Sequence, residues 1–395
     1  MLWAGYAAAA VVLAAVTDLG PHRLWGRCAA GGYGAAALLA AAPQAAPRRA
    51  APWAAVAGAV LVPLVWLVAH RQGQLEVDVV QRSGALLLRT GSPYLPEPAR
   101  VEDYNPYLPG MALFGLPYAL FGDGPPADAR WGFALVFCLA LVVAARISGK
   151  AKALREISPG HPGVPRALAV LAACPILALP LATGGIDLPV TALVCLALAA
   201  AAGGRPALTG LAAGAAAAMK WTAWPALVIA LVLLGTCQGR RAARRAGLVA
   251  TGVIATVTVP SVLVAPGAFT EHVLRFPLGA GKVASPAASP LPGHLLATLV
   301  PGGRTAALTL LVLAAAVVAA SLIRRPPRTL RAAADRLALA LALAVCLAPA
   351  TRFGYLLMPL TLAVWFRPPA TGPARVPAPK APTTASPVPH APEAD

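Results

Sequence analysis

The sequence predicts an all-α polytopic membrane protein: a bundle of about twelve transmembrane helices with an amphipathic helix in one extracytoplasmic loop. Three observations carry that prediction. Of 395 residues, 58% are hydrophobic and only 12% are charged, about half the charge of an ordinary soluble domain. Apolar runs of about 16 to 20 residues recur from end to end, near the length a bilayer core requires. The runs are continuous in Ala, Leu and Val without period-2 alternation, which selects helices over a barrel.

The net charge of +18 does not point to nucleic acid. The basic residues sit in short loops between apolar runs, as the positive-inside rule requires of a membrane protein. The six cysteines (Cys28, Cys138, Cys174, Cys195, Cys237 and Cys346) lie in or beside apolar runs with no C-x-x-C spacing. They read as small packing residues, and neither a metal site nor a disulfide framework is expected.

In chain order, residues 2–17 form a retained helix rather than a signal peptide, because they lack a basic leading segment and a small-residue cleavage site. Residues 28–43 form a second helix, Arg48 and Arg49 mark a cytoplasmic turn, and 52–69 form a third. The stretch 70–118 follows on the outer side and holds Glu76, Asp78, Glu97, Glu102 and Asp103, five of the 14 acidic residues. Within it, apolar residues at 79, 80 and 86–88 interleave with Gln81, Arg82 and Arg89, the pattern of a helix lying on the membrane surface. Segment 106–121 is broken by prolines and glycines and reads as re-entrant or interfacial, since a crossing would turn the basic loop 146–166 outward.

Further crossings are expected at 130–146, 166–183, 187–202, 206–219, 221–237, 246–265, 305–323, 334–350 and 353–366, with 266–304 an external loop. Both termini then face the cytoplasm. Nearly two thirds of the 32 Lys+Arg but under a third of the 14 Asp+Glu fall on that side. The tail 367–395 is Pro-rich without an apolar run and is expected to be disordered.

A few residues stand out as chemistry. Asp78 follows a transmembrane helix directly and is either a general base for an attacking hydroxyl or a solvated loop acid. Glu76, two residues away, would point elsewhere on a helix. Lys220 interrupts an apolar stretch beside Trp221 and Trp224. It either snorkels to the interface or holds a phosphate in a low-dielectric cavity. Arg352 is either a second phosphate ligand or an ordinary flanking arginine, and Asp187 either a site residue or a helix N-cap. The loop 266–304, with His272, Arg275, Lys282 and His294, is either a wet connection or a lid over a lipid phosphate.

An aspartate after an early membrane helix, then Gly91-Ser92-Pro93-Tyr94, then Tyr104-Asn105-Pro106-Tyr107-Leu108-Pro109, resembles the polyprenol-phosphate-sugar-dependent glycosyltransferases of the GT-C fold. The similarity is nearest to glycosyltransferase family 87, whose members are α-mannosyltransferase-like membrane proteins. It continues through the turn 183–187 and the Gly-rich stretch 210–225 that ends in Lys220 and Pro225, and it spans roughly 70–235. Two departures are plain: Tyr-Asn-Pro-Tyr-Leu-Pro stands for the family's Tyr-Pro-Pro, and Gly-Gly-Ile-Asp for its Gly-Gln-x-Asn.

The resemblance implies a GT-C-like catalytic domain over 52–366, preceded by an additional helix pair over 1–51. It implies inverting transfer of a hexose, mannose first, from a polyprenyl monophosphate in the bilayer to an extracytoplasmic glycolipid or glycan, with no cofactor or metal. Asp78 would be the base, and Lys220, Arg352 and Arg82 would hold the donor phosphate. Glu76, Tyr104, Asn105, Tyr107, Asp187, His272, Lys282 and His294 would be sugar or acceptor contacts. The rival readings are a lipid or solute transporter and a GT-C-like assembly protein without activity.

Overall fold

A computed structural model describes residues 1–149, 163–284 and 286–367. The centre of the expected basic loop and the Pro-rich tail from 368 lie outside the described residues. Among these residues every named element is helical, and the one strand-like contact is a single parallel bridge between Ala288 and Thr351.

Helices α1 (Leu2–Val16) and α2 (Gly20–Ala41) form an antiparallel pair that packs on α3 (Ala45–Ala69). α3 carries a π turn at Ala57–Leu61, and there α2 comes close enough that Gly32 and Gly58 meet backbone to backbone. A Cβ on Gly32 would stand 2.6 Å from the Gly58 Cα. Trp25 donates to the Ala59 carbonyl at 2.7 Å and Tyr33 to the Ala173 carbonyl at 2.6 Å, so the first pair shares one apolar core with the rest.

The expected surface helix is α4 (Leu75–Thr90). Val77, Val79, Val80, Ser83 and Gly84 are buried, and Gly91 ends the helix in the left-handed conformation at φ 76°. α4 lies on segment Pro109–Phe121, which is a 3-10 turn (Pro109–Gly115) running into the short α5 (Leu116–Phe121). The two meet at glycines: an added Cβ would lie 2.3 Å from Gly115 C at Gly84, and 2.1 Å from the Val80 carbonyl oxygen at Gly115.

Next come α6 (Ala129–Ile147), α7 (Gly163–Ala172), α8 (Pro175–Thr183), α9 (Asp187–Ala202) and α10 (Pro206–Met219). After them run α11 (Trp224–Gln238), α12 (Arg240–Val264), the four-residue α13 (Pro266–Phe269), α14 (Pro292–Leu299), α15 (Gly303–Arg324), α16 (Leu330–Leu347) and α17 (Leu357–Trp365). α9 is the axis of the bundle, buried along most of its length against α6, α10 and α11.

The span count differs from the sequence expectation. Five helices among the described residues are long and apolar enough to cross: Ala45–Ala69, Ala129–Ile147, Trp221–Gln238, Arg240–Val264 and Gly303–Arg324. The single helix expected over 166–183 is bent by 80° between α7 and α8, and counting that pair as one span gives six. The break has a local cause. Pro175 disfavours the helical conformation of the residue before it, and Cys174 is extended at φ −64°, ψ 129°. Leu2–Val16, Asp187–Ala202, Pro206–Met219 and Phe353–Trp365 are apolar but short of the roughly 20 residues a straight crossing takes.

Candidate active site

The residues singled out in the sequence divide between two faces of α4. On the inner face, charges from four distant parts of the chain converge. Lys220 sits in the break after α10, with extended backbone (φ −154°, ψ 140°) that carries its side chain off the helix axis. Its Nζ donates to Asp187 Oδ1 at 2.5 Å, with side chains 12% and 18% exposed. The ammonium also lies 5.0 Å from the Tyr355 ring centre and 5.9 Å from that of Tyr107, within cation–π range. Beside this pair, Arg352 Nη1 donates to Glu76 Oε1 at 3.0 Å.

Each of these side chains is held by local backbone. Asp187 opens α9 one residue after the pair Gly184, whose φ of 108° needs glycine, and Gly185, whose added Cβ would meet Pro180 at 2.3 Å. Asp187 is therefore a first-turn acid in an ion pair, not the N-cap, which is Ile186. Tyr107 is fixed by Tyr107 N donating to Asn105 Oδ1 and Leu108 N donating to the Met219 carbonyl, one residue before Lys220. Arg352 follows the bridge in which Thr351 N donates to Ala287 O and Ser289 N to Thr351 O, with Phe353 N bound to Ser289 Oγ. Burial drives the Tyr107 hydroxyl well above its ordinary pKa, and the nearby Glu76 carboxylate pushes in the same direction.

Asp78 lies on the other face. It is solvent-exposed and makes no hydrogen bond or ion pair among the described residues. Its carboxyl is nevertheless raised above the usual aspartate range. Crowding by surrounding protein is the main cause, Asp128 adds to it, and Arg130 and Arg82 oppose it. Arg82 shares this face and donates to the Glu102 carbonyl at 2.5 Å.

The base of this face is a buried ion pair that the sequence reading did not single out. Asp128 caps α6 by accepting from Arg130 N, and its two oxygens take Arg130 Nε and Nη2 at 2.8 and 2.7 Å. Arg130 Nη1 donates onward to the Gln72 carbonyl at 2.6 Å, and Gln74 N donates to Thr183 O at 2.9 Å, which fixes the entry into α4. An aspartate two residues before an arginine at a helix start was the available signal. Tyr355 and His22 were also missed. His22, on α2, stands 2.9 Å from the side chain of Gln74, the residue before α4.

The remaining candidates other than His294 form a clasp between the 92–108 and 266–284 segments. His272 is fully buried; its Nδ1 accepts from Asn105 N at 2.9 Å and its Nε2 donates to Leu95 O at 2.8 Å, which requires the neutral ring. Burial accordingly holds its pKa down. Asn105 Nδ2 donates to Ser83 Oγ on α4, and Tyr104 donates to Glu271 Oε1 while stacking on Phe276 at 4.0 Å. Lys282 joins through its backbone N, bound to Glu271, and His294 contacts the Pro349 carbonyl. Tyr104, Asn105 and His272 spend their polar atoms within the protein. Among the described residues no three His, Cys, Asp or Glu side chains are grouped as a metal site would need.

The inner face thus joins two cations, two carboxylates and two tyrosines in one half-buried centre, able to receive a phosphate and a hydroxyl together. Comparison with known proteins agrees with an enzyme of glycosyl transfer. The sequence model of glycosyltransferase family 87 matches residues 105–349, more than half of the chain. That stretch contains Tyr107, Asp187 and Lys220, while α4 precedes it and Arg352 and Tyr355 follow it. Neither curated proteins nor solved structures gave a match. The chain belongs to glycosyltransferase family 87.

Proposed function

We propose that the protein is an integral membrane hexosyltransferase of GT-C type. It moves a hexose, mannose first among candidates, from a polyprenyl monophosphate to an extracytoplasmic acceptor with inversion. The observation that carries this reading is the convergence of Glu76, Asp187, Lys220 and Arg352 at one end of the bundle. A polyprenyl chain must lie in lipid, and several helices of the chain are apolar enough to cross it. The proposed topology is a bundle of about twelve crossings, several of them broken helices. Residues 1–51 form an added pair on a catalytic domain of 52–366, and both termini face the cytoplasm of a cell-membrane protein.

In this scheme Lys220 and Arg352 bind the donor phosphate, where negative charge grows as the anomeric carbon–oxygen bond breaks. Without ligand both cations are already paired, Lys220 with Asp187 and Arg352 with Glu76. An arriving phosphate competes for Arg352 and so releases the Glu76 carboxylate. Glu76 then takes the acceptor hydroxyl proton while that oxygen attacks the anomeric carbon opposite the phosphate. The bonding electrons leave with the phosphate, and one glycosidic bond replaces one phosphoester bond.

The second reading gives the base role to Asp78, as expected from the sequence. Its support is that Asp78 is accessible and free of any ion pair, where Glu76 must first be released. Against it, two of the three cations expected at the phosphate, Lys220 and Arg352, are paired with Asp187 and Glu76 on the other face of α4, and only Arg82 shares the face of Asp78.

The test is transfer by the purified protein in proteoliposomes, with polyprenyl-phosphate donors of several sugars. Glu76→Gln is expected to lose about 10²-fold or more in turnover with donor binding retained, and Asp78→Asn far less. The reverse order returns the base to Asp78. Movement of the sugar lipid across the bilayer without transfer from any donor would replace the enzyme reading with a transporter. Neither transfer nor movement would leave an assembly protein.

A further inference from the structure

The end of the bundle remote from Lys220 and Arg352 is built from helix junctions that carry arginine. α12 starts there, after Gly239 turns the chain at φ 87°. Thr236 Oγ1 donates to the Pro327 carbonyl at 2.8 Å and Cys237 Sγ to the Arg328 carbonyl at 3.5 Å, which holds the α15–α16 connection against the foot of α11. Arg240, Arg241, Arg244 and Arg245 stand in the first two turns of α12. Arg324 ends α15, and Arg325 and Arg328 follow in the connection. All of these arginines are exposed, and none of their guanidinium groups has a hydrogen bond or ion pair among the described residues.

The four arginines on α12 oppose one another. Arg240 with Arg244, and Arg241 with Arg245, are like-charge pairs one turn apart, which destabilise a helix, and no acid lies in the first turn. The other side of these turns is occupied, with Ala243 over Gly235 of α11 and Ala246 over Gly210 of α10. The arginines therefore face out of the bundle. Along their side the helix continues through Leu248, 68% exposed, and Leu263, 76% exposed. Other helices leave this apolar span almost uncovered. From Ala246 to Val264 is about 28 Å of helix at about 1.5 Å per residue, close to the hydrocarbon thickness of a bilayer. With that span in hydrocarbon, the four guanidinium groups fall at the level of lipid phosphates.

A partner for this face must be anionic, to offset cations that the chain leaves unopposed, and apolar just beyond its charge, to lie along Leu248. An anionic phospholipid has both parts. Every cation named here is arginine rather than lysine, and the guanidinium fork matches phosphate oxygens two at a time. We propose that the start of α12 is a binding site for anionic phospholipids of the leaflet at that end, the inner one on the proposed topology. Their phosphates bridge Arg240, Arg241, Arg244 and Arg245, and their chains lie on the span below. The lipid relieves the repulsion within α12 and between α12 and the arginines of the α15–α16 connection. Nothing in this site depends on which reaction the other end performs.

The experiment titrates the full chain in detergent with phosphatidylglycerol or phosphatidylcholine and counts bound lipids by native mass spectrometry. Phosphatidylglycerol should bind about tenfold or more tightly. Arg240→Gln, Arg241→Gln, Arg244→Gln and Arg245→Gln combined should bring the two lipids within about twofold of each other. Arg48→Gln with Arg49→Gln removes two charges at the start of α3, where Arg48 is bound to the Gln44 and Pro43 carbonyls, and should leave the preference in place. Inorganic phosphate at matched concentration should not displace the lipid, and displacement would mark a free-phosphate site and overturn the proposal. In nanodiscs, phosphatidylglycerol should raise the unfolding midpoint of the parent but not of the quadruple variant. In phosphatidylcholine alone that variant should be at least as stable as the parent, because its like-charge pairs are gone. Equal affinity for the two lipids, or a preference that survives the quadruple substitution, overturns the proposal and leaves these arginines as orientation signals.

Discussion

Replacing Lys220 by Met separates a structural role from a functional one. The Lys220–Asp187 pair is short and mostly enclosed, at 2.5 Å with 12% and 18% exposure. Removing one partner of a buried pair costs about 3–5 kcal/mol, chiefly because the other charge stays buried and unpaired. Neither side chain is fully enclosed, so the lower end, about 3 kcal/mol, is expected for Lys220→Met. Adding Asp187→Asn removes the stranded charge and should restore most of that stability. Activity should not follow. If Lys220 steadies the leaving phosphate, its loss removes about 3 kcal/mol of transition-state stabilisation, on the order of 10²-fold in kcat. Thermal unfolding in detergent and sugar transfer in proteoliposomes would be measured on both single variants and the double. A double variant that regains stability and turnover together would make Lys220 a structural residue and refute its phosphate role.

Three further outcomes follow from the geometry. Gly115→Ala drives a methyl to 2.1 Å from the Val80 carbonyl. It should destabilise by about 1–3 kcal/mol and reduce transfer by shifting α4, whereas Gly252→Ala, which meets no neighbour, should do neither. Arg130→Leu strands the buried Asp128 and frees the Gln72 carbonyl. About 3–5 kcal/mol should be lost, read as a lower unfolding midpoint and faster hydrogen exchange over residues 72–80. The neutral His272 clasp gives a pH dependence of known sign. Its folded pKa is depressed by burial, so the unfolded state binds more protons between the two values. Its stabilisation is whole above about pH 6.5 and shrinks as pH falls below that. Protection over 266–284, corrected for the intrinsic slowing of amide exchange toward acid, should therefore fall between pH 7 and 5, and flat protection would contradict the neutral ring.

Much of the fold was readable because a bilayer leaves few choices. Helical class, a helix with one apolar face after residue 74 and the interrupted 106–121 segment all follow from composition and from where Gly and Pro fall. The span count was less readable, since hydropathy sums over breaks that geometry does not. Residues 166–183 are one apolar run in sequence but two helices at 80°, because Pro175 extends Cys174. For the site, Asp187, Lys220 and Arg352 stood out individually as charges in apolar surroundings, but nothing in the sequence paired them. Arg352 and Glu76 are 276 residues apart, and only tertiary packing decides which of two carboxylates in one helical turn meets the arginine.

That pairing turns on helix geometry. Glu76 and Asp78 are two positions apart, about 200° around an α-helix, so one turn of α4 must send them to different places. The inner direction is crowded with distant elements: the break after α10, the start of α9 and the strand-like contact before Arg352 all end there. The outer direction has α5, the 70–74 and 122–128 loops, the start of α6 and solvent. On the proposed reading, one acid on each face of α4 gives the two carboxylates different roles, Glu76 beside the phosphate-binding cations and Asp78 in the open hollow toward the rest of the acceptor. On this argument the two substitutions should change different kinetic constants. Glu76→Gln should lower kcat with acceptor KM nearly unchanged, since it removes a proton acceptor used only in the transition state. Asp78→Asn should raise acceptor KM with kcat nearly unchanged, since it weakens a contact made equally before and during reaction. Initial rates over a grid of donor and acceptor concentrations distinguish the two. If Asp78→Asn lowered kcat while acceptor KM held, the two-sided assignment of α4 would fail and Asp78 would be the base.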